Sequence, residues 1–105
     1  MKKHRFQMTE NEVNRIEARV QELTPVLTPH AIEKGGEMPD LQRAKVVEFV
    51  VDYVAPRALM RDREGRCCVI TLREGRVITI WRNHFDDYHL TLNIWQYDES
   101  LVIDW

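Results

Sequence analysis

Two glycine turns, Asp62-Arg63-Glu64-Gly65 and Arg73-Glu74-Gly75, divide the chain after Pro56 into short pieces. Glycine at such a position accepts positive φ, which tight hairpin turns require. The pieces Ala58 to Arg61, Arg66 to Arg73, Arg76 to Arg82 and His89 to Tyr97 therefore read as strands of a meander. In the last of them Leu90, Leu92 and Ile94 alternate with polar neighbours, as in a strand with one buried face. The tail Leu101-Val102-Ile103-Asp104-Trp105 reads as a short fifth strand. An apolar tail ending in tryptophan is unlike a free polar terminus, so it is expected to pack on the sheet edge or on a second copy of the chain.

Before Pro56 the period is helical. Thr9-Glu10-Asn11-Glu12 has the form of a capping box, and Val13, Ile16, Val20, Leu23 and Leu27 recur every three or four residues. This predicts a helix from about Glu10 to Leu23, ended by Pro25. Thr28-Pro29 opens a short helical turn that Gly35 closes. Pro39 then opens a second long helix to about Val54, with Leu41, Ala44, Val47, Val50, Val51 and Val54 on one apolar face. Segregated helices followed by strands predict an α+β fold. The expected domain is single, residues 1–105: N-terminal helices (about 9–55) pack on one face of a four- to five-stranded antiparallel sheet (about 57–105).

Composition excludes several classes. At 105 residues with 44% hydrophobic content, the chain suits one domain with one core. No apolar run approaches the roughly 20 residues of a membrane helix. The basic start, Met1-Lys2-Lys3-His4-Arg5, leads into acidic residues and not into an apolar stretch, so no secretory signal is expected. The adjacent Cys67 and Cys68 would point to opposite faces of a strand, where a disulfide between them is strained. Reduced structural cysteines and a cytoplasmic location are expected. Charge is unevenly placed: residues 57–82 hold seven Arg, no Lys and three acids, whereas residues 83–105 hold five acids and no Lys or Arg.

The densest polar constellation is Trp81-Arg82-Asn83-His84-Phe85-Asp86-Asp87-Tyr88-His89. His84 titrates near neutrality, Arg82 can fork onto a phosphate, and Trp81 and Tyr88 offer stacking faces for a base. The bland alternative is a polar turn beside a sheet-surface tryptophan. His30 opens a short helix, where a helix N-terminus favours the neutral imidazole and suits a general base. The alternative is a surface histidine. Arg61, Arg63, Arg73 and Arg82 lie on strands or their ends and could align as one basic stripe, or simply solvate a sheet face. No spacing matches a zinc or calcium pattern, and no phosphate loop or serine elbow is present, so no metal or cofactor is expected.

Thr28-Pro29-His30-Ala31, Gly65-Arg66-Cys67-Cys68-Val69-Ile70-Thr71-Leu72 and Arg76-Val77-Ile78-Thr79-Ile80-Trp81-Arg82-Asn83 together resemble small RelE/BrnT-like domains over residues 28–97. The resemblance implies a ribonuclease-toxin type of fold, with His30, Arg61, Arg82 and His84 nearest the RNA-facing cleft. The chain departs from that class in its mildly acidic balance, in Gly35-Gly36 after the His-Ala string and in its extra N-terminal helix. Two functional expectations follow. The first is an RNA-binding domain or metal-independent endoribonuclease, with His30 and His84 as acid and base, Arg82 on the phosphate, and Arg61, Arg73, Trp81 and Tyr88 on the RNA. The second is a non-catalytic module that binds a protein, antitoxin-like or host target, through an acidic aromatic face of Tyr88, Trp95, Tyr97 and Trp105. A homodimer through the C-terminal edge, with no membrane association, completes the set.

Overall fold

A computed structural model describes residues 1–53, 55–83 and 94–105, leaving out the side chain of Ile94. His84 and Tyr88, and residues 89–93 of the expected fourth strand, lie outside the described residues. The elements in chain order are β1 (Lys2–His4), a 3-10 turn (Arg5–Gln7), α1 (Glu10–Glu22), β2 (Val26–Leu27) and α2 (Pro29–Lys34). There follow β3 (Lys45–Val50), β4 (Arg57–Arg61), β5 (Arg66–Thr71), β6 (Arg76–Arg82) and a second 3-10 turn (Ile94–Gln96). The class is α+β. The sheet has six strands in the order β1-β3-β4-β5-β6-β2, antiparallel except for β2 beside β6.

The start of α1 follows from its cap. Thr9 Oγ1 accepts from the Glu12 N–H at 3.1 Å, and Glu12 Oε1 accepts from the Thr9 N–H at 2.9 Å. Ile16 and Val20 then reach the core, with Val13 and Leu23 packed at its rim. Leu27 leaves this stripe for the edge strand β2. Thr28 caps α2 with Pro29 at its first position, and Gly35 ends it at φ 63°. The three central strands match their predicted places, with β5 ending at Thr71.

Residues 45–50 form a strand and not the interior of a long helix. Asp40 accepts from the Arg43 and Ala44 N–H groups, making one turn that does not continue. The helical period there has a physical origin. Val47 is a bulge between Val46, paired with Met60, and Glu48, paired with Leu59. The bulge puts Val46 and Phe49 on the same face, three residues apart, which mimics one turn of helix. A bulge at Ile78 does the same for Val77 and Ile80 on β6. Strong β-branching in Lys45–Val50 fits a strand buried on both faces.

One face of the sheet carries Val46, Phe49, Ala58, Met60, Cys68, Ile70, Val77 and Ile80. It is covered by Ile16 and Val20 of α1, Ala31 of α2, and Leu101 and Ile103 of the tail. The tail is no strand; it packs into the core of its own chain, with the Trp105 ring 4.2 Å from the Arg15 guanidinium. Described residues 94–96 of the expected His89–Tyr97 strand form the second 3-10 turn. The strand β1 was missed because its residues, Lys2, Lys3 and His4, are basic or polar. Lys3 nevertheless turns inward, where Nζ donates to Glu12 at 3.2 Å and to the Leu101 carbonyl at 3.4 Å.

Where β1 stops, the edge of β3 would be bare. Two side chains complete it: the Val46 N–H donates to Glu17 Oε2 at 3.0 Å, and Arg5 Nη1 donates to the Val46 carbonyl at 3.0 Å. Arg5 and Glu17 also pair with each other at 2.8 Å. Bonding the edge in this way denies it to another strand.

Gly65 and Gly35 allow a direct comparison. Both have positive φ, but a Cβ on Gly65 would stand 2.5 Å from the Asn83 carbonyl oxygen, while Gly35 faces open space. Gly35→Ala should cost about 1 kcal/mol, the conformational term alone. Gly65→Ala should cost about 3 kcal/mol or more, because the backbone of residue 83 must move as well. Urea midpoints of the two variants check this.

Candidate functional site: a cationic cavity at the β4–β5 turn

A cavity of about 510 Å³ lies at the β4–β5 turn. Its walls come from three places. The end of β1 and the 3-10 turn after it supply His4, Arg5 and Phe6; β3 supplies Lys45, Val46 and Val47; the end of β4 and its turn supply Arg61, Asp62 and Arg63. The turn is held by a capping box in which His4 Nδ1 accepts from the Phe6 N–H at 3.2 Å and Gln7 Oε1 accepts from the His4 N–H at 3.0 Å. Phe6 is thereby presented outward, 72% exposed, with its ring stacked 5.0 Å from His4.

Among the described residues, four Lys/Arg side chains and one imidazole line this cavity against a single carboxylate, Asp62. That carboxylate is already taken up. Oδ1 accepts from the N–H groups of Glu64 (2.9 Å) and Arg66 (3.0 Å), and Oδ2 from the Asp40 N–H (3.2 Å) and Arg66 Nε (2.6 Å). Burial would push the Asp62 carboxyl up, but the Arg66 guanidinium and the three backbone donors outweigh it and hold the group below its ordinary value. Arg5 is engaged by Glu17, and Lys45 stands 4.0 Å from the same carboxylate. Arg63 has no carboxylate within 4.0 Å among the described residues. Arg61 is nearly buried at the cavity wall.

Beside the cavity a second polar group closes around Glu48. Tyr97 donates its hydroxyl to Glu48 Oε2 at 2.5 Å, and Lys2 Nζ lies 3.6 Å from the same oxygen. Lys2 also sits 5.0 Å from the Tyr97 ring centre, and His4 meets that ring edge-on at 5.3 Å. Burial, the bond to Glu48 and the Glu48 charge all raise the Tyr97 pKa, so the phenol stays neutral.

The sequence-predicted residues are dispersed. Arg61 lines the cationic cavity. His30 and Arg73 share a different cavity, at the β5–β6 turn. Arg82 lines neither; Nη2 donates to Glu37 at 3.2 Å and Nη1 to the Glu64 carbonyl at 3.3 Å. Thr28, two residues before His30, bonds Val77 near the start of β6, whereas Arg82 ends that strand. His30 and Arg82 therefore stand toward opposite ends of a strand of about 20 Å. The expected single arginine stripe is split for the same reason: Arg61 and Arg73 belong to successive turns at opposite ends of the sheet. Trp81 faces away from α1, paired with Cys67, and donates Nε1–H to Asn83 Oδ1 at 2.6 Å. Of the expected acidic aromatic face, Tyr97 turns in on Glu48 and Trp105 stacks on Arg15; Trp95 is 86% exposed.

His4, Arg5, Phe6 and Lys45 were not singled out from sequence, although the basic start of the chain was visible. Among the described residues no group of three His, Cys, Asp or Glu side chains converges to hold a metal ion. No family model, curated protein or solved structure matches the chain.

Two outcomes are expected. The Asp62 carboxyl titrates lower in the folded chain than its ordinary 3.8, so its stabilisation is whole above that value and fades as pH falls through the lowered one. Asp62→Asn should cost about 2–3 kcal/mol at neutral pH and progressively less in acid, read from urea midpoints against pH. Cys68 is buried, and burial, then the neighbouring Cys67 and Asp62, push its thiol up to about 12. Cys68 should therefore resist iodoacetamide in the native protein and react once urea unfolds it.

Proposed function

We propose that this domain binds single-stranded RNA, with the phosphates running over the cationic cavity and a base on Phe6. The observation that carries this reading is a concavity lined by Arg5, Lys45, Arg61 and Arg63 whose sole carboxylate among the described residues is held by other donors. Cations in a groove attract the phosphate chain, and an exposed aromatic ring beside them offers a stacking platform. The RelE/BrnT-like resemblance points to the same ligand class. Its toxin-type cleavage needs an acid, a base and a cation on one phosphate; His30 and Arg82 stand too far apart to share one. Binding is thus the reading the geometry supports best.

Fluorescence anisotropy with a labelled single-stranded oligoribonucleotide tests it. Arg63→Ala or Lys45→Ala should weaken binding for every sequence and lower the slope of log affinity against log salt by about 1 each. Phe6→Ala should cost about 1–3 kcal/mol and leave that slope unchanged, because stacking releases no counterions. Salt-independent affinity, or affinity equal in all three variants, would refute the reading. Incubating the same RNA in EDTA with the native protein and a His84→Ala variant separates cleavage from binding.

A further inference from the structure

The cavity at the opposite end of the sheet holds about 410 Å³. The β5–β6 turn and the start of β6 bring Arg73 and Arg76 to it, the first turn of α2 brings His30, and the end of β5 brings Thr71. Glu74 is its one carboxylate among the described residues.

Several arginines elsewhere in the described residues are paired with acids. Arg66 has Asp62, Glu64 and Glu37; Arg82 has Glu37; Arg57 has Asp52; Arg5 has Glu17. Neither Arg73 nor Arg76 has a carboxylate within 4.0 Å among those residues, although Glu74 stands between them in sequence. Thr71 joins them in the cavity wall. It is 6% exposed, and its Oγ1 accepts from the Arg76 N–H at 2.9 Å.

We infer that this cavity is a binding site for a small phosphate ester. Two guanidinium forks, an imidazole and a hydroxyl approach from separate elements, which suits a tetrahedral group with several oxygens better than a planar carboxylate. Ile78 and Ala55 give the cavity apolar wall, and its volume exceeds what a bare phosphate needs, so the ester carries an organic group of about mononucleotide size. The site is separate from the cationic cavity and does not depend on the RNA reading.

The test is a titration of ¹⁵N-labelled protein with inorganic phosphate, then with adenosine monophosphate, against sodium chloride at matched ionic strength. Saturable amide shifts are expected at Thr71, Gly75 and Arg76, together with a shift of the His30 ring proton, and none with chloride. Adenosine monophosphate should bind more tightly than inorganic phosphate. The double variant Arg73→Gln, Arg76→Gln should weaken binding tenfold or more, while Arg63→Gln in the other cavity should leave it unchanged. All three arginines are exposed, and the remaining amide spectrum reports whether a variant stays folded; His30→Ala asks the same question if the double variant does not. Shifts that chloride reproduces, that survive the double variant, or that vanish in Arg63→Gln would overturn the inference.

Discussion

The Asp62 carboxylate, with four donors on two oxygens, ties three parts of the chain into one end of the sheet. It fixes the β4–β5 turn through the backbone of Glu64 and Arg66. It anchors the loop before β3 through the Asp40 N–H, and it holds the Arg66 guanidinium, which meets Glu37 in turn. Buried charge is tolerated only where it is fully bonded. Full bonding here also has an electrostatic result. The carboxylate in the wall of the cationic cavity is bonded from behind, while Arg5 and Lys45 answer to Glu17 and Arg63 stands exposed in front. Fold and candidate function thus meet in a single side chain.

Local chemistry in the sequence was a good guide wherever one residue decides a conformation. Thr9 and Thr28 cap helices, Gly35 ends one, and Gly65 and Gly75 turn hairpins, each at its expected place. Periodicity misled where long-range pairing decides. The bulge at Val47 spaces Val46 and Phe49 as a helix would, and only the strands on either side reveal that Lys45–Val50 belongs between them. For β1 the difficulty is reversed: Lys2, Lys3 and His4 carry no apolar alternation, because their burial rests on Glu12, Glu48 and Tyr97, residues distant in sequence.

The candidate site was legible to the same extent. Arg61, Arg73 and His30 were recognisable as cationic groups at element ends, and each lines a cavity. Their grouping was not legible, because hairpin geometry sends successive turns to opposite ends of a sheet. Arg61 joins Lys45 and Phe6, which come from separate strands and turns, and Arg73 joins His30 from α2. Arg82, chosen for its place in a polar stretch, lies beside Arg66 on the α1 side and is drawn to Glu37.

The contacts of β1 bear on how the chain acquires its shape during synthesis. The Lys2 carbonyl accepts from the Asp98 N–H, Lys3 reaches the Leu101 carbonyl, and Arg15 reaches that of Ile103. β1 and α1 are thus held by residues of the 98–103 segment, made well after them. A nascent chain leaving the ribosome can assemble β3 to β6 as successive hairpins, but the apolar surface awaiting Leu101 and Ile103 stays uncovered until translation has passed them. Folding of this domain is therefore completed after synthesis of residue 103. A ribosome stalled in the acidic stretch before it would expose a sheet lacking its final cover, the form of the chain most open to chaperones and proteases.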